Sequence, residues 1–370
     1  MVSMQQMIES FERFAPKHLA EDWDPVGLQV GSLQGKVSRV LTTLDVTEEV
    51  IQEAVDQQCE CILAHHPMLF KPLKKIDLST KTGRMIQLCI QHNITVYAAH
   101  TNLDITEGGV NDLLSERLQL LHTKPMTVTS KTQLYKLVVF VPEGQADDVR
   151  TALAAAGAGQ LGEYEACSYE MQGIGRFTPT DKANPTIGQQ GVPEQVSELR
   201  LEVIVPQPLV KKSIQALLKV HPYEEPAYDV IALEQYTNER GLGRVGKLDA
   251  SLTLGQFAEK VKAAFNVPFV RTVGQWDKMI ETVAVLGGSG SKYVFAAKQA
   301  GADVFITGDM DFHTAQLCEE LGLAVIDPGH HVEKVMIEGV AHEMNQRCLA
   351  EGLSVTFIPS TIDTEMFQVK

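Results

Sequence analysis

Cys61-Ile62-Leu63-Ala64-His65-His66-Pro67 is the stretch on which the reading of this chain turns. An apolar run, opened upstream by Val55 and closed by Ala64, stops at two adjacent histidines and a proline. A short apolar run of this kind reads as a buried strand. Pro67 has no N–H to give to a sheet ladder, so the strand ends there. Both imidazoles then stand at the carboxyl end of a buried strand, where open α/β sheets hold their ligands. Neighbouring side chains on a regular strand point to opposite faces. Two consecutive histidines can therefore serve one site only where the backbone leaves the sheet, which is where Pro67 puts them.

The flanking sequence repeats the arrangement. Upstream, an amphipathic helix over 4–14 leads to the turn Asp24-Pro25-Val26-Gly27 and a short strand. A second strand over 37–44 ends at Asp45, and Thr47-Glu48-Glu49 reads as a capped helix start, which makes a βαβ unit with the His65-His66 strand. Asp45 reads as a capping or loop residue. Downstream, a helix over 82–92 and a strand over 94–99 close with His100-Thr101-Asn102-Leu103-Asp104. A second βα unit thus presents an imidazole and a carboxylate at its strand's carboxyl end. Asp104, on a loop followed by Gly108-Gly109, is the stronger ligand candidate, and His100 reads as a supporting or proton-carrying residue.

The last third returns to this style. A strand over 281–286 runs into Gly287-Gly288-Ser289-Gly290 and a helix over 293–300. Strand, glycine turn and helix N-terminus together suit an anion. The strand over 304–306 ends in Thr307-Gly308-Asp309, with His313 close behind. The strand over 324–326 ends in Asp327-Pro328-Gly329-His330-His331-Val332-Glu333. On the first turn of a helix, His330 and Glu333 project from one face. That pair gives a metal one nitrogen and one carboxylate, while His331 points elsewhere.

Between these thirds the texture changes. From 131 to 235 the expected order is β-α-β-β-α-β, the signature of a ferredoxin-like α+β domain, complete in itself and inserted into the larger one. Its His221-Pro222-Tyr223-Glu224-Glu225 reads as a helix-terminating turn. Gly241-Leu242-Gly243-Arg244-Val245-Gly246 spells GxGxxG but neither follows a strand directly nor opens a helix, so it is read as a glycine-rich strand or loop. The fold expected is a discontinuous two-lobed α/β metal-binding domain (1–130 and 236–370) carrying that insert.

Composition narrows the function classes. The 370 residues are 44% hydrophobic, the mean hydropathy is -0.05, and the net charge is -15 with a pI near 5.2. That balance offers no electrostatic footprint for nucleic acid or anionic membrane. No apolar run reaches the roughly 18 residues of a membrane span, and the amino-terminal residues lack the pattern of a signal peptide. Six scattered cysteines without CxxC indicate neither a zinc knuckle nor a disulfide frame, which fits a reducing cytoplasm.

His65, His66, Asp104, His330 and Glu333 form a mixed N/O ligand set without thiolate, suited to Zn, Mn, Fe, Co or Ni. The set exceeds what one catalytic ion requires. A carboxylate bridging two ions about 3.5–4 Å apart would use it all, and Glu333 is the candidate bridge.

Ala64-His65-His66-Pro67, His100-Thr101-Asn102-Leu103-Asp104, Thr307-Gly308-Asp309 and Gly329-His330 with Glu333 together resemble the Nif-three-like dinuclear-metal family, also known as GTP cyclohydrolase I type 2 homologues. The middle third resembles the CutA/PII-like insert of its longer bacterial, YqfO-type members. The resemblance implies two divalent metal ions per chain, zinc foremost, held by His65, His66, Asp104, His330 and Glu333. It implies a toroidal homohexamer, a trimer of dimers. The activity expected is that of a metal-dependent hydrolase acting on a nucleotide such as GTP or a cyclic amide or amidine bond, and His100 or His313 is the residue expected to move the proton. Many members separate the last His and Glu by four positions, this chain by three, and Asp309 stands where some carry Glu. The rival expectation is a non-catalytic metal-binding or regulatory protein whose insert takes a small molecule or partner.

Overall fold

Side-chain alternation along the short strands shows how the larger part of the chain is layered. In Cys61–Ala64, Cys61 and Leu63 enter one apolar cluster, and Ile62 and Ala64 enter another. In Met279–Ser289, Val283 and Val285 share that first cluster while Ala284 and Leu286 enter a third. Strands buried on both faces need apolar residues at every position, which is why these runs are continuous.

The structure is a computed structural model and describes residues 2–368. It divides into two compact units, Met1–Thr129 with Arg240–Lys370, and Ser130–Glu239. The first unit is mixed α/β with two main sheets. One has the order Thr356–Pro359, Arg39–Thr43, Cys61–Ala64, Thr95–Ala98, Gly27–Val30, parallel except for the last pairing. The helices Glu48–Asp56 and Lys81–Gln91 make its crossovers, each started by a threonine hydroxyl accepting a backbone N–H: Thr47 from Val50, and Thr80 from Gly83.

The second sheet in this unit runs Arg271–Val273, Ala324–Asp327, Val304–Gly308, Met279–Ser289 and then the later part of Tyr228–Thr253. Its three middle strands are parallel and its edges antiparallel. One apolar cluster joins the inner faces of both sheets, Leu63 and Tyr97 with Val283 and Ile306, through the helices Met4–Phe14, Val110–Arg117, Leu254–Phe265 and Val335–Ala350. No helix among the described residues is long and apolar enough to cross a membrane.

The second unit holds strands in the order Ser168–Phe177, Glu194–Pro206, the later part of Leu121–Pro142, and the first part of Tyr228–Thr253. The helices Ala146–Ala155 and Val210–Val220 bury Val149, Leu153 and Leu217 with Leu137, Val139, Leu201 and Val203 of the sheet.

Several expectations are corrected. Val55 belongs to the helix Glu48–Asp56, so the buried strand begins only at Cys61. Asp104 sits on a one-turn helix, Thr101–Ile105, rather than a loop. The segment 241–246 lies inside the continuous strand Tyr228–Thr253, which a sequence reading ends near 233. Gly287 and Gly288 are strand residues, and the helix beyond them, Val294–Gln299, has only six residues. A 3-10 turn, Ser291–Tyr293, separates the glycines from that helix, so they do not open it directly.

Candidate metal centre

His65 and His66 are still paired along the sheet through their backbones, His65 N–H to Thr43 O and His66 N–H to Leu44 O, before Pro67 turns the chain away. His65 is fully buried and His66 half-buried, with their rings 5.1 Å apart. Each imidazole is fixed through Nδ1. His65 Nδ1 lies 2.9 Å from Ala99 O, and His66 Nδ1 lies 2.7 Å from Asp45 Oδ1. Asp45 is held in turn by the Thr364 hydroxyl at 2.8 Å, so it orients an imidazole rather than capping a helix.

His100 follows the same rule, with Nδ1 3.0 Å from Asp24 Oδ1. The other oxygen of Asp24 accepts Thr101 N–H at 2.8 Å and so starts the one-turn helix that carries Asp104. Asn111 braces that helix from below. Its Nδ2 donates to Asp104 O and its Oδ1 accepts Gly287 N–H, both at 2.9 Å. In the late half, His330 Nδ1 meets Asp309 Oδ2 at 2.7 Å. His330 and Glu333 occupy a 3-10 segment, His330–Lys334, in which side chains three apart eclipse.

With every Nδ1 engaged, the Nε2 atoms converge on carboxylates. Glu333 Oε2 lies 3.1 Å from both His66 Nε2 and His330 Nε2. Its Oε1 lies 3.8 Å from His65 Nε2, which is 3.6 Å from Asp104 Oδ1. The cluster resolves into His66-His330-Glu333, His65-Asp104-Glu333 and His65-His66-His100, each with its ligand atoms within 4.8 Å of one another. Glu333 fits here because Gly287 and Gly288 carry no side chain. A Cβ on either would sit 2.9 or 2.8 Å from Glu333 Oε1, and Gly288 also has φ +63. The glycines read in sequence as a phosphate turn instead make room for a carboxylate.

Two atoms test whether a cation suits the cluster. His65 Nε2 and Asp104 Oδ1 are fully buried and have no hydrogen-bond partner. Orphaned buried polar atoms are costly, and a divalent ion between a neutral imidazole and a carboxylate satisfies both. Four imidazoles and two carboxylates, each imidazole backed by a carboxylate or carbonyl, fit a borderline divalent cation.

Without metal, protons take the cation's place. Burial opposes a charged His66, but hydrogen bonds to Asp45 and Glu333 outweigh it and hold the ring up at about 10. The hydrogen bond to Glu333 raises His330 to about 9. Burial pushes Asp104 up to about 6, whereas three imidazoles overcome burial at Glu333 and hold it well below the usual carboxylate range.

The sign of the pH dependence follows. A histidine raised in the fold contributes stability that is complete below its unfolded value near 6.5 and disappears as pH climbs through 9 and 10. Asp104 has finished titrating below that window. Metal-stripped protein should therefore melt progressively lower between pH 7 and pH 10. The rise in melting temperature caused by zinc should grow over the same interval, because the ion displaces those protons. Thermal melts with and without zinc across this range check both trends.

Asp45→Asn should leave the fold intact and weaken metal binding about 10–100-fold, the usual effect of losing the partner that orients a ligand. Competition against a chromophoric chelator measures it.

The structure thus gathers His65, His66, Asp104, His330 and Glu333, and adds His100. It does not bring in His313, which is exposed on the helix Phe312–Glu320 with Nδ1 3.2 Å from Gln316 Oε1. His331 turns to Thr364, Nε2 to Oγ1 at 3.1 Å. Sequence reasoning missed Asp24 and Asn111. Only the Asp-Pro turn hinted at the first, and nothing local marks the second.

The family profile of Duf34/NIF3 (NGG1p interacting factor 3) matches residues 2–365. A Bacillus subtilis (strain 168) protein named GTP cyclohydrolase 1 type 2 homolog is 48% identical over 366 residues, covering 99% of this chain and 98% of that protein. The crystal structure of a Bacillus cereus protein related to NIF3 superposes with a TM-score of 0.91 at 44% identity, covering 100% of this chain and 99% of that one. Staphylococcus aureus protein SA1388 gives 0.80 at 32%, with the same coverage. On this evidence the chain belongs to the Duf34/NIF3 family.

Proposed function

We propose that the protein is a metal-dependent hydrolase of the GTP cyclohydrolase 1 type 2 homologue kind. It would hold two divalent ions, zinc foremost, through His65, His66, Asp104, His330 and Glu333, and act on a nucleotide or a cyclic amide or amidine bond. The observation that carries this reading is the placement of Glu333, whose two oxygens face separate donor groups. Bound there, divalent ions supply Lewis-acid polarisation and an acidified water.

The chain's own residues supply the rest. His100, held through Nδ1 by Asp24, keeps Nε2 free beside His65 and His66 and is the group we assign to carry a proton. Trp23 packs edge-on against His100 with centroids 6.0 Å apart and meets Phe70 at 5.9 Å. Lys292 Nζ lies 5.9 Å above the Trp23 ring. An exposed aromatic platform topped by a cation suits a flat, anionic substrate. We assign the second unit as a ferredoxin-like insert, supported by its β-α-β-β-α-β order and its sheet order. The assembly we propose is a hexamer built as a trimer of dimers, on the family resemblance.

The test is a turnover screen of GTP, other nucleotides and small cyclic amides with protein of confirmed metal content. Metal-dependent product formation, at least about 100-fold slower in His66→Ala, is the expected result. Silence of fully loaded protein on every substrate would remove the hydrolase reading. It would favour the second one, a metal-binding regulator, which a large cavity in the insert supports.

A further inference from the structure

The second unit uses only one face of its sheet for its core. On the other face, Phe140, Met171 and Arg200 stand side by side in register, as do Gly173 and Glu198. The segment 178–193 passes over this face and is tied down at the His221–Glu225 turn. The Thr186 hydroxyl donates to Pro222 O at 2.6 Å and Asn184 N–H donates to Glu224 Oε1 at 2.9 Å. Between floor and roof lies a cavity of about 650 Å³. That is within the range of small-molecule sites, roughly 300–1,000 Å³.

Three features define what fits. First, Glu198 is only 7% exposed, yet none of the described ion pairs gives it a cation. Its Oε1 accepts the Tyr223 O–H at 2.9 Å, and its carboxylate lines the cavity. Burial and Glu198 together push the Tyr223 phenol up, which keeps it an O–H donor. A buried carboxylate with one neutral donor is under-satisfied, and the groups that complete it best are charged or paired N–H donors.

Second, this geometry is built around glycine. A Cβ at Gly175 would stand 2.1 Å from Glu198 Oε2, whereas one at Gly173 would meet nothing. The carboxylate therefore lies against bare strand, beside a flat stretch of backbone. Third, the charge of the lining is tilted. Glu224 and Glu225 join Glu198 in the lining, and Arg176 and Arg200 face them, Arg200 sharing Glu202 with Lys136, so the acidic excess is centred on Glu198 rather than spread over the whole cavity. Phe140, Phe177 and Tyr223 supply ring surface.

We propose that the insert binds a small flat aromatic molecule bearing an amidine-type N–H edge, lying on the Gly173–Gly175 strand with that edge on Glu198. A carboxylate edge laid on the same strand would face the buried Glu198 carboxylate and is disfavoured there. The cavity is lined by residues of the second unit alone and shares none with the metal centre, so the proposal stands or falls independently of the hydrolase reading.

The probe is biphenyl-4-carboxamidine, titrated calorimetrically into the metal-loaded full chain, with biphenyl-4-carboxylate as its counterpart of like shape. The amidine should bind saturably at one per chain and the acid at least tenfold more weakly. Glu198→Gln should weaken the amidine at least tenfold with unchanged metal content and melting temperature. Ala183→Trp, which fills the cavity from its roof and leaves Glu198 alone, should weaken it as much and serves if Glu198→Gln does not fold. Equal binding of acid and amidine, binding indifferent to both variants, or no saturable binding overturns the proposal.

Discussion

Glu333→Ala is expected to cut the metal content of purified protein from about two ions per chain to one or fewer, and to weaken what remains by more than about 100-fold. Losing a partner that only orients a ligand usually costs 10–100-fold, and Glu333 touches more than one donor group. Its Oε2 serves His66 and His330, while its Oε1 faces His65. One truncation therefore strips a carboxylate from both groups. Glu333→Gln separates charge from shape: the amide fills the space beside Gly287 and Gly288 but cannot supply an anion. Elemental analysis after equilibration with zinc and gel filtration gives the counts. Unchanged stoichiometry in both variants would mean that the cluster is an imidazole–carboxylate network with no resident ion.

The second large effect is expected at a residue outside the ligand set. Arg244 is 5% exposed and reaches across the fold. Its Nη2 donates to Asp112 Oδ2 at 2.8 Å and to Thr106 O at 3.2 Å, and its Nε also meets Asp112. Its Nη1 donates to Gly241 O and Gly243 O, both at 2.9 Å. Arg244→Ala leaves Asp112 poorly compensated and three carbonyls short of a donor, which costs about 3–5 kcal/mol for a broken buried pair. For a unit of this size that corresponds to a melting temperature lower by roughly 6–20 °C. Arg244→Lys should recover little, because an ammonium cannot reproduce the planar fork. Calorimetric melts of the three proteins decide the matter. A loss under about 1 kcal/mol would mean that water replaces the guanidinium.

That residue also shows what a sequence can and cannot display. GxGxxG was read as a glycine-rich strand or loop, and the structure places it inside the strand Tyr228–Thr253. Its actual use, two carbonyls beside an arginine that anchors the segment behind Asp104, depends on Asp112 and Thr106, more than a hundred positions away. His65-His66-Pro67 was legible because strand, stop and donors are consecutive. His330 and Glu333 were legible because three-residue spacing fixes a common side in either helical form. Asp24, Asn111, Gly287 and Gly288 were not, since each has its role only through a partner from another element. The long strands Leu121–Pro142 and Tyr228–Thr253 were cut short in the reading because their ends carry polar and glycine residues that look like turns.

The order of the chain has a bearing on when the site can exist. His66 and Glu333 are 267 residues apart in sequence. Even the sheet that carries His65 and His66 gains an edge strand from Thr356–Pro359, near the end of the chain. A nascent polypeptide carrying only the first 130 residues holds three of the five proposed ligands and lacks Glu333. Pairings this distant form late, after most loop closure has been accomplished. On the proposed ligand set, metal capture would wait for the segment that carries His330 and Glu333 to fold. A truncated or stalled product would hold its histidines open to solvent, and added zinc would stabilise completed molecules over partial ones.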